Sequence, residues 1–334
     1  MENRLFGFIR QNLLSAILVY LKVPISFHKS EKLLYQKYYN QSPIKREKKT
    51  EIIIMMDGTF SHGGLADRLR GICSIFQYCK DKGLPFYIYH THPYSLDVYL
   101  TPNKYDWRIY QNQISRNKSE SCLLFIHKSY LSCFWQRRYL EIEIKRNYGK
   151  QIHVYTNADF YDNYYSLNYN YLFKPSFLLK KNLEDLQKQF PSEYYVMTFR
   201  FQQLLGDFTD PGYYEINGEQ GKQRLIESCI NKVLEIRSSL PSDSSIIIAG
   251  DSQVFIDAIC NRYNWALSIP GEIGHVDYCG KNCQPVFLKT FIDFYMLSRA
   301  KAIYFLVTGK MYLQSGFALR ASYINKTPFH IIRF

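Results

Sequence analysis

Residues 51–56, a Glu followed by three Ile and two Met, form an apolar run with no polar face. Asp57 and Gly58 close it, so the pattern predicts a strand buried on both sides. A glycine-bearing loop follows from Thr59 to Gly64. Then Leu65, Leu69, Ile72, Ile75, Phe76 and Cys79 recur at helical spacing up to Lys80. Gly83 and Pro85 stop that helix, and Phe86 to Tyr89 begins the next strand, which completes a βαβ unit. Further strands are predicted over 122–126, 151–155, 194–199, 245–249, 302–307 and 329–334. Helices are predicted over 177–190, 221–240, 253–260 and 290–300, with another starting in 314–323. The Tyr/Asn-rich stretch 161–171 reads as an irregular aromatic surface. The βαβ pattern thus occurs in 51–160 and again in 194–334, with no short fixed repeat that would mark a solenoid or propeller. The expected fold is α/β, with Rossmann-like halves over 51–190 and 191–334 facing each other across a cleft, and with residues 1–50 preceding both.

Composition narrows the class. A chain of 334 residues with 46% hydrophobic and 21% charged content supports two cored domains and excludes disorder. Eight cysteines are too sparse for a disulfide scaffold and point to a reducing compartment. The net charge of +13 favours anionic partners. Residues 1–50 hold ten Lys/Arg against three acids, about half of the surplus. They also hold an apolar run from Leu5 to Leu21, interrupted by Arg10, Gln11 and Asn12 and ended by Lys22 and Pro24. That run is too short to span a bilayer, and the residues after Lys22 make a poor signal-cleavage site. Three readings remain: a basic amphipathic helix on an anionic inner leaflet, a helix packed on a neighbouring domain, or an uncleaved membrane anchor. Ser42 to Thr50 reads as a polar linker. The resulting placement is cytoplasmic, peripheral to the membrane.

The candidate chemistry lies in loops between strands and helices. Gly63 and Gly64, with His62, Asp67, Arg68 and Arg70 around them, sit where a helix N-terminus offers free N–H groups to an anion. A tight βα turn with solvated arginines would look the same. No G-x-G-x-x-G or P-loop motif is present. In the second half, Arg200 ends a predicted strand, and its planar fork suits bidentate capture of a phosphate; a surface or structural arginine would look the same. Asp251 and Ser252 end the next strand, as base or ribose contacts or as an N-cap. Ser315 and Gly316 precede a helix, as a diphosphate seat or again as a cap. Asp207 and His275 are further polar candidates. Taken in order, these features describe a nucleotide-sugar site.

At these residues the chain resembles the fucosyltransferase superfamily of GT-B glycosyltransferases, over roughly residues 52–334. Arg200 with Gly206 and Asp207 looks like a stretched form of the family's His-x-Arg-x-Gly-Asp motif, with Thr198 in place of the histidine. Asp251 and Ser252 resemble the second motif, and Asp293 to Ser298 through Ser315, Gly316 and Phe317 resemble the third. Gly63, Gly64, Leu65, Arg68 and Leu69 resemble the family's glycine loop, with Asp67 where an Asn is usual. The resemblance implies an inverting transfer from a GDP-sugar, GDP-fucose first, with no obligatory metal. Arg200 would contact the β-phosphate, and Gly63, Gly64, Arg68, Asp251, Ser252, Ser315 and Gly316 would hold the donor. GDP-mannose or a UDP-sugar remains an alternative.

Inverting transfer needs a base for the acceptor hydroxyl and cations or N–H groups for the leaving diphosphate. Asp67 is the expected base, with His62, Asp207 and His275 as other candidates. No D-x-D triplet is present to hold a metal. Cys279 and Cys283 lack a second Cys/His pair at zinc spacing and read as free thiols. A basic nucleic-acid-binding protein is the rival class, but no recognition motif supports it. The expected acceptor is a glycan of a surface polysaccharide or glycolipid, lipid-linked on the membrane face.

Overall fold

Continuous apolar strands punctuated by glycine-bearing turns fold here into two parallel sheets. The computed structural model describes residues 27–44, 46–126, 133–210, 213–279 and 283–334. The amphipathic helix expected within residues 1–26 lies outside the described residues. The chain divides into two compact units. The first takes in residues up to 63, 67–95 and 102–173, and the second 64–66, 96–101 and 174–334.

In the first unit, α1 (Phe27–Tyr38) precedes β1 (Glu51–Met56), α2 (Leu65–Lys82), β2 (Phe86–His90), β3 (Ser121–Ile126), α3 (Cys133–Arg146), β4 (Gln151–Thr156) and α4 (Tyr165–Leu172). The strands run parallel in the order β2-β1-β4-β3. β1 therefore has β2 on one side and β4 on the other, which makes the gap between the carboxyl ends of β1 and β4 the topological switch point. Gly71 lets α2 lie against that end of the sheet. A Cβ there would fall 2.7 Å from the Thr156 carbonyl oxygen.

Three details differ from the sequence reading. Residues 42–50 are not a free linker: the Ile44 amide donates to Glu120, and Arg46 donates to the Gly149 carbonyl and pairs with Glu51 at 2.9 Å. The 161–171 stretch is not irregular. It contains α4, whose Tyr165, Tyr169 and Leu172 are buried at helical spacing. Helix α3 was not foreseen because only Gln136, Leu140 and Ile144 of its fourteen residues are buried, too few for a clear apolar stripe.

Buried polar groups tie this unit together. His153 sits in the middle of β4 with its Nδ1 2.6 Å from the Tyr39 hydroxyl and its Nε2 3.3 Å from Gln151 Oε1. Burial, with Arg116 nearby, pushes the imidazole down to about 3, so it is neutral.

In the second unit, α5 (Phe177–Gln187) leads to β5 (Tyr195–Phe199), α6 (Glu219–Ser238), β6 (Ile246–Gly250), α7 (Gln253–Cys260), β7 (Ala266–Leu267), α8 (Gln284–Ser298), β8 (Ile303–Val307), α9 (Gly316–Asn325) and β9 (Phe329–Arg333). The sheet is parallel, in the order β9-β8-β5-β6-β7. Its switch point lies between β5 and β8. One core lies on one face of these strands, with Met197, Phe199, Ile246, Ile248, Phe305 and Val307 buried. α5 carries Leu179, Leu183 and Leu186 inward and packs against α8, so it belongs to this unit and not to the first half.

Gly71→Ala should cost about 1–3 kcal/mol in urea denaturation, because the added methyl forces α2 off β4. A second expectation concerns acid. A histidine neutral when folded but free to protonate when unfolded withdraws stability as pH falls from its ordinary 6.5 toward 3. His153→Gln should therefore be less stable than the parent at neutral pH, with the gap shrinking as pH drops below about 6.5.

Candidate functional site

The register of the second sheet sets its polar end. Phe199 pairs with Gly250, so the next residues of each strand, Arg200 and Asp251, emerge side by side. Arg200 Nη1 meets Asp251 Oδ2 at 2.9 Å. The other two donors to Asp251 are backbone amides: Phe201 N at 2.7 Å to Oδ1 and Gln202 N at 2.8 Å to Oδ2. These bonds hold Gln202 at φ +56°, a left-handed conformation that a non-glycine residue adopts at a cost. Burial pushes the Asp251 carboxyl up, against the pull of Arg200 and the two amides. With donors on both oxygens, it is held as a carboxylate.

Arg200 has a second partner that the sequence reading missed. Its Nη2 lies 2.9 Å from Asp210 Oδ2, and its guanidinium stacks over the Phe208 ring at 4.9 Å. Asp210 stands ten residues on, beyond a loop whose path no local pattern reveals. Phe208 also touches the edge of His275, whose ring stacks on Tyr278 at 4.6 Å. His275 Nδ1 accepts from the Asp277 amide at 3.1 Å.

Asp207 and Ser252 work as a pair on α7. Ser252 Oγ accepts from Phe255 N and donates to Asp207 Oδ2 at 2.9 Å, and Val254 N donates to the same oxygen at 2.9 Å. The cap alternative therefore holds for Ser252. Its side chain and that of Asp251 are each hydrogen-bonded within the protein.

The N-terminus of α9 is different. Ser315 caps it by accepting from Ala318 N at 3.2 Å, and no acid stands in its first turn. Gly316 is exposed, with open space where a Cβ would be. The preceding loop is tied to the β5 loop, since Tyr312 N donates to the Arg200 carbonyl at 3.3 Å. Arg200 and the amides of α9 thus lie on the two loops that flank the switch point. An anion there would meet one cation and one helix dipole.

The glycine loop of the first unit holds its own polar cluster. Gly63 has φ +82°, and a Cβ there would lie 2.7 Å from Asp67 Oδ2. Asp67 stands in the first turn of α2, partly exposed, and pairs with Arg70 at 2.8 Å. Arg68 is buried and points beneath the loop, donating to the Gly63 carbonyl at 3.0 Å and the His92 carbonyl at 3.1 Å. It thus fastens the loop from inside. His62 is also buried, with its ring stacked 6.1 Å from Tyr155. Gly64 has open space at its Cβ position. At the end of β1, Asp57 accepts from Arg116 at 3.0 Å, from the Tyr155 hydroxyl at 3.2 Å and from Thr59. Asp57 and Arg116 escaped the sequence reading because they are 59 positions apart. Among the described residues, no group of three or more His, Cys, Asp or Glu is placed to hold a metal ion. No helix among them is long and apolar enough to cross a membrane.

No protein-family model and no curated protein matches the sequence. Solved structures do. The NodZ α-1,6-fucosyltransferase co-crystallised with GDP aligns with a TM-score of 0.55 at 13% identity, over 86% of this chain and 95% of that one. Arabidopsis thaliana FUT1 in complex with GDP aligns at 0.53 and 12% identity, over 97% of this chain and 78% of that one. POFUT1 in complex with GDP aligns at 0.50 and 10% identity, over 86% and 99%. At such identities the likeness is one of fold: the chain has the GT-B fold that these structures share, built from two Rossmann-like halves.

Asp251→Asn would remove the charge facing Arg200 and turn an amide N–H₂ toward an amide N–H. The variant should lose about 3 kcal/mol of stability in chemical denaturation. A loss under about 0.5 kcal/mol would mean that the Arg200 turn does not depend on Asp251.

Proposed function

We propose that this protein is an inverting glycosyltransferase that takes its sugar from a GDP donor, GDP-fucose first. The observation that carries the reading is Arg200, fixed by Asp251 at the carboxyl end of β5 and tied by its carbonyl to the loop that opens α9. A leaving diphosphate gathers negative charge in the transition state. A preorganised guanidinium and the unoccupied amides of Gly316 and Phe317 would stabilise it without a metal. The fold shared with fucosyltransferases crystallised with GDP supports the donor class.

In this reading Arg200 has a resting and a working partner. Asp251 is buried and keeps Nη1 in both states. Asp210 holds Nη2 in the free protein and gives it up to a phosphate oxygen. Ser315 and Gly316 seat the diphosphate, while Asp207 and Ser252 keep the neighbouring helix closed by their own bonds. The amides at Gly63 and Gly64 are proposed donor contacts, and Arg68 fastens their loop from beneath. Asp67, the accessible carboxylate of that loop, is the base for the acceptor hydroxyl. Arg70 pairs with it at 2.8 Å and holds it in place. The acceptor is a glycan of a surface polysaccharide or glycolipid, and the basic residues 1–50 place the enzyme on an anionic inner leaflet. A GDP-mannose or UDP-sugar donor would use the same diphosphate seat.

Thermal shift with GDP, UDP, CMP, ADP and their sugars, with and without EDTA, tests the donor assignment. Stabilisation by GDP and GDP-fucose that EDTA leaves unchanged is expected. A response to UDP-sugars alone would discard GDP, and silence toward every nucleotide would overturn the reading. In calorimetry, Arg200→Ala should weaken GDP binding by about 2–3 kcal/mol. Asp210→Asn should tighten it severalfold by removing the competing carboxylate. Equal affinity in both variants would remove Arg200 from the site.

A further inference from the structure

The start of α5 presents an apolar surface that the fold cannot bury. Its inward stripe, Leu179, Leu183 and Leu186, is fixed against the core of the second unit, and Ser176 caps the helix by accepting from Leu179 N. Helical geometry then turns residues 177, 178 and 181 outward. Phe177 is 84% exposed and Leu178 43%. Val98 lies next to them, because the Ser176 hydroxyl donates to its carbonyl at 2.6 Å and the Ser176 amide to that of Tyr99. Val98 is also exposed, at 44%. Three apolar side chains from two segments therefore form one protruding patch.

Its rim is basic. Lys174, Lys180 and Lys181 are all exposed around Phe177. Lys180 pairs with Glu184 only loosely, at 3.7 Å, and Lys174 and Lys181 form no ion pair among the described residues. Asp97 is the acid on the Val98 side. Lys181 is one helical turn after Phe177, so cation and ring share a face. A protruding aromatic with an apolar neighbour and lysines at headgroup height fits an anionic bilayer surface, where the ring enters the acyl boundary and the ammonium groups stay among the phosphates.

We infer that the patch of Val98, Phe177 and Leu178, ringed by Lys174, Lys180 and Lys181, is a docking surface for an anionic lipid bilayer. It extends the peripheral placement proposed above and rests on it, but it assigns contact to a part of the fold separate from residues 1–50.

The test reads residue 177 directly, in the full chain. F177W should gain emission at shorter wavelength with phosphatidylserine-containing vesicles, and lipids brominated on the acyl chain should quench it beyond the parent's three native tryptophans. Neither change should occur with pure phosphatidylcholine. F177D, at a position too exposed to disturb folding, should lower partitioning into phosphatidylserine vesicles by about tenfold, and K181E by about fivefold. If F177W shows no vesicle-dependent change while the protein still binds vesicles, the surface is not the lipid contact, and residues 1–50 are left to hold the membrane. If no vesicle binds, the peripheral placement itself fails. Burial of F177W by a protein partner without any lipid effect would also overturn the assignment.

Discussion

The carboxylate of Asp251 is the interaction on which the polar end of the second unit depends. It is buried, it receives two backbone amides, and it carries the guanidinium of Arg200. Remove it and three things fail together: the left-handed turn at Gln202 loses its anchor, two amides lose their acceptor, and Arg200 loses the group that points it. A buried ion pair adds little net stability over an apolar pair of the same shape. What it supplies here is position. The side chain that would meet a diphosphate is held at a fixed place by a partner that solvent cannot displace.

The two helices that follow β6 and β8 divide the work. α7 begins under Asp207 and Ser252, so its N-terminal amides are already satisfied by the protein. α9 begins with Ser315 alone, an exposed Gly316 and no acid in its first turn. Both ends carry the same dipole. Only the second leaves it available to an external anion, and it follows β8, next to β5 across the switch point. The first unit also has a switch point beside its first strand. Gly71 brings α2 against β4, and Arg68 and Arg70 spend themselves on the carbonyls of Gly63, His92 and Asn157. The glycine loop is thus rigid before any ligand arrives.

Much of this was legible in the chain. The fold class followed from apolar runs closed by Asp-Gly, Gly-Asp-Ser and Ser-Gly, because buried parallel strands have no polar face to obscure them. Residues 253–260 were read as a helix to the residue, since Ser252 caps α7 as its hydroxyl chemistry requires. The loops were less legible. Asp210 and Arg116 act across loops and strand crossings that leave no periodicity, and the stretch at 161–171 hid a helix because tyrosine carries both a polar tip and a buried ring. Arg68 and Arg70 looked alike in sequence. Only packing showed that one lies beneath the loop and the other beside Asp67.

The central claim is that an anion of the diphosphate kind binds at the switch point of the second sheet. Amide hydrogen exchange of the full chain with and without GDP tests it most directly. The account predicts added protection in 200–207 and in 312–319, with little change in β1 or β4. Protection confined to residues 57–64, or no protection at saturating GDP, would contradict it.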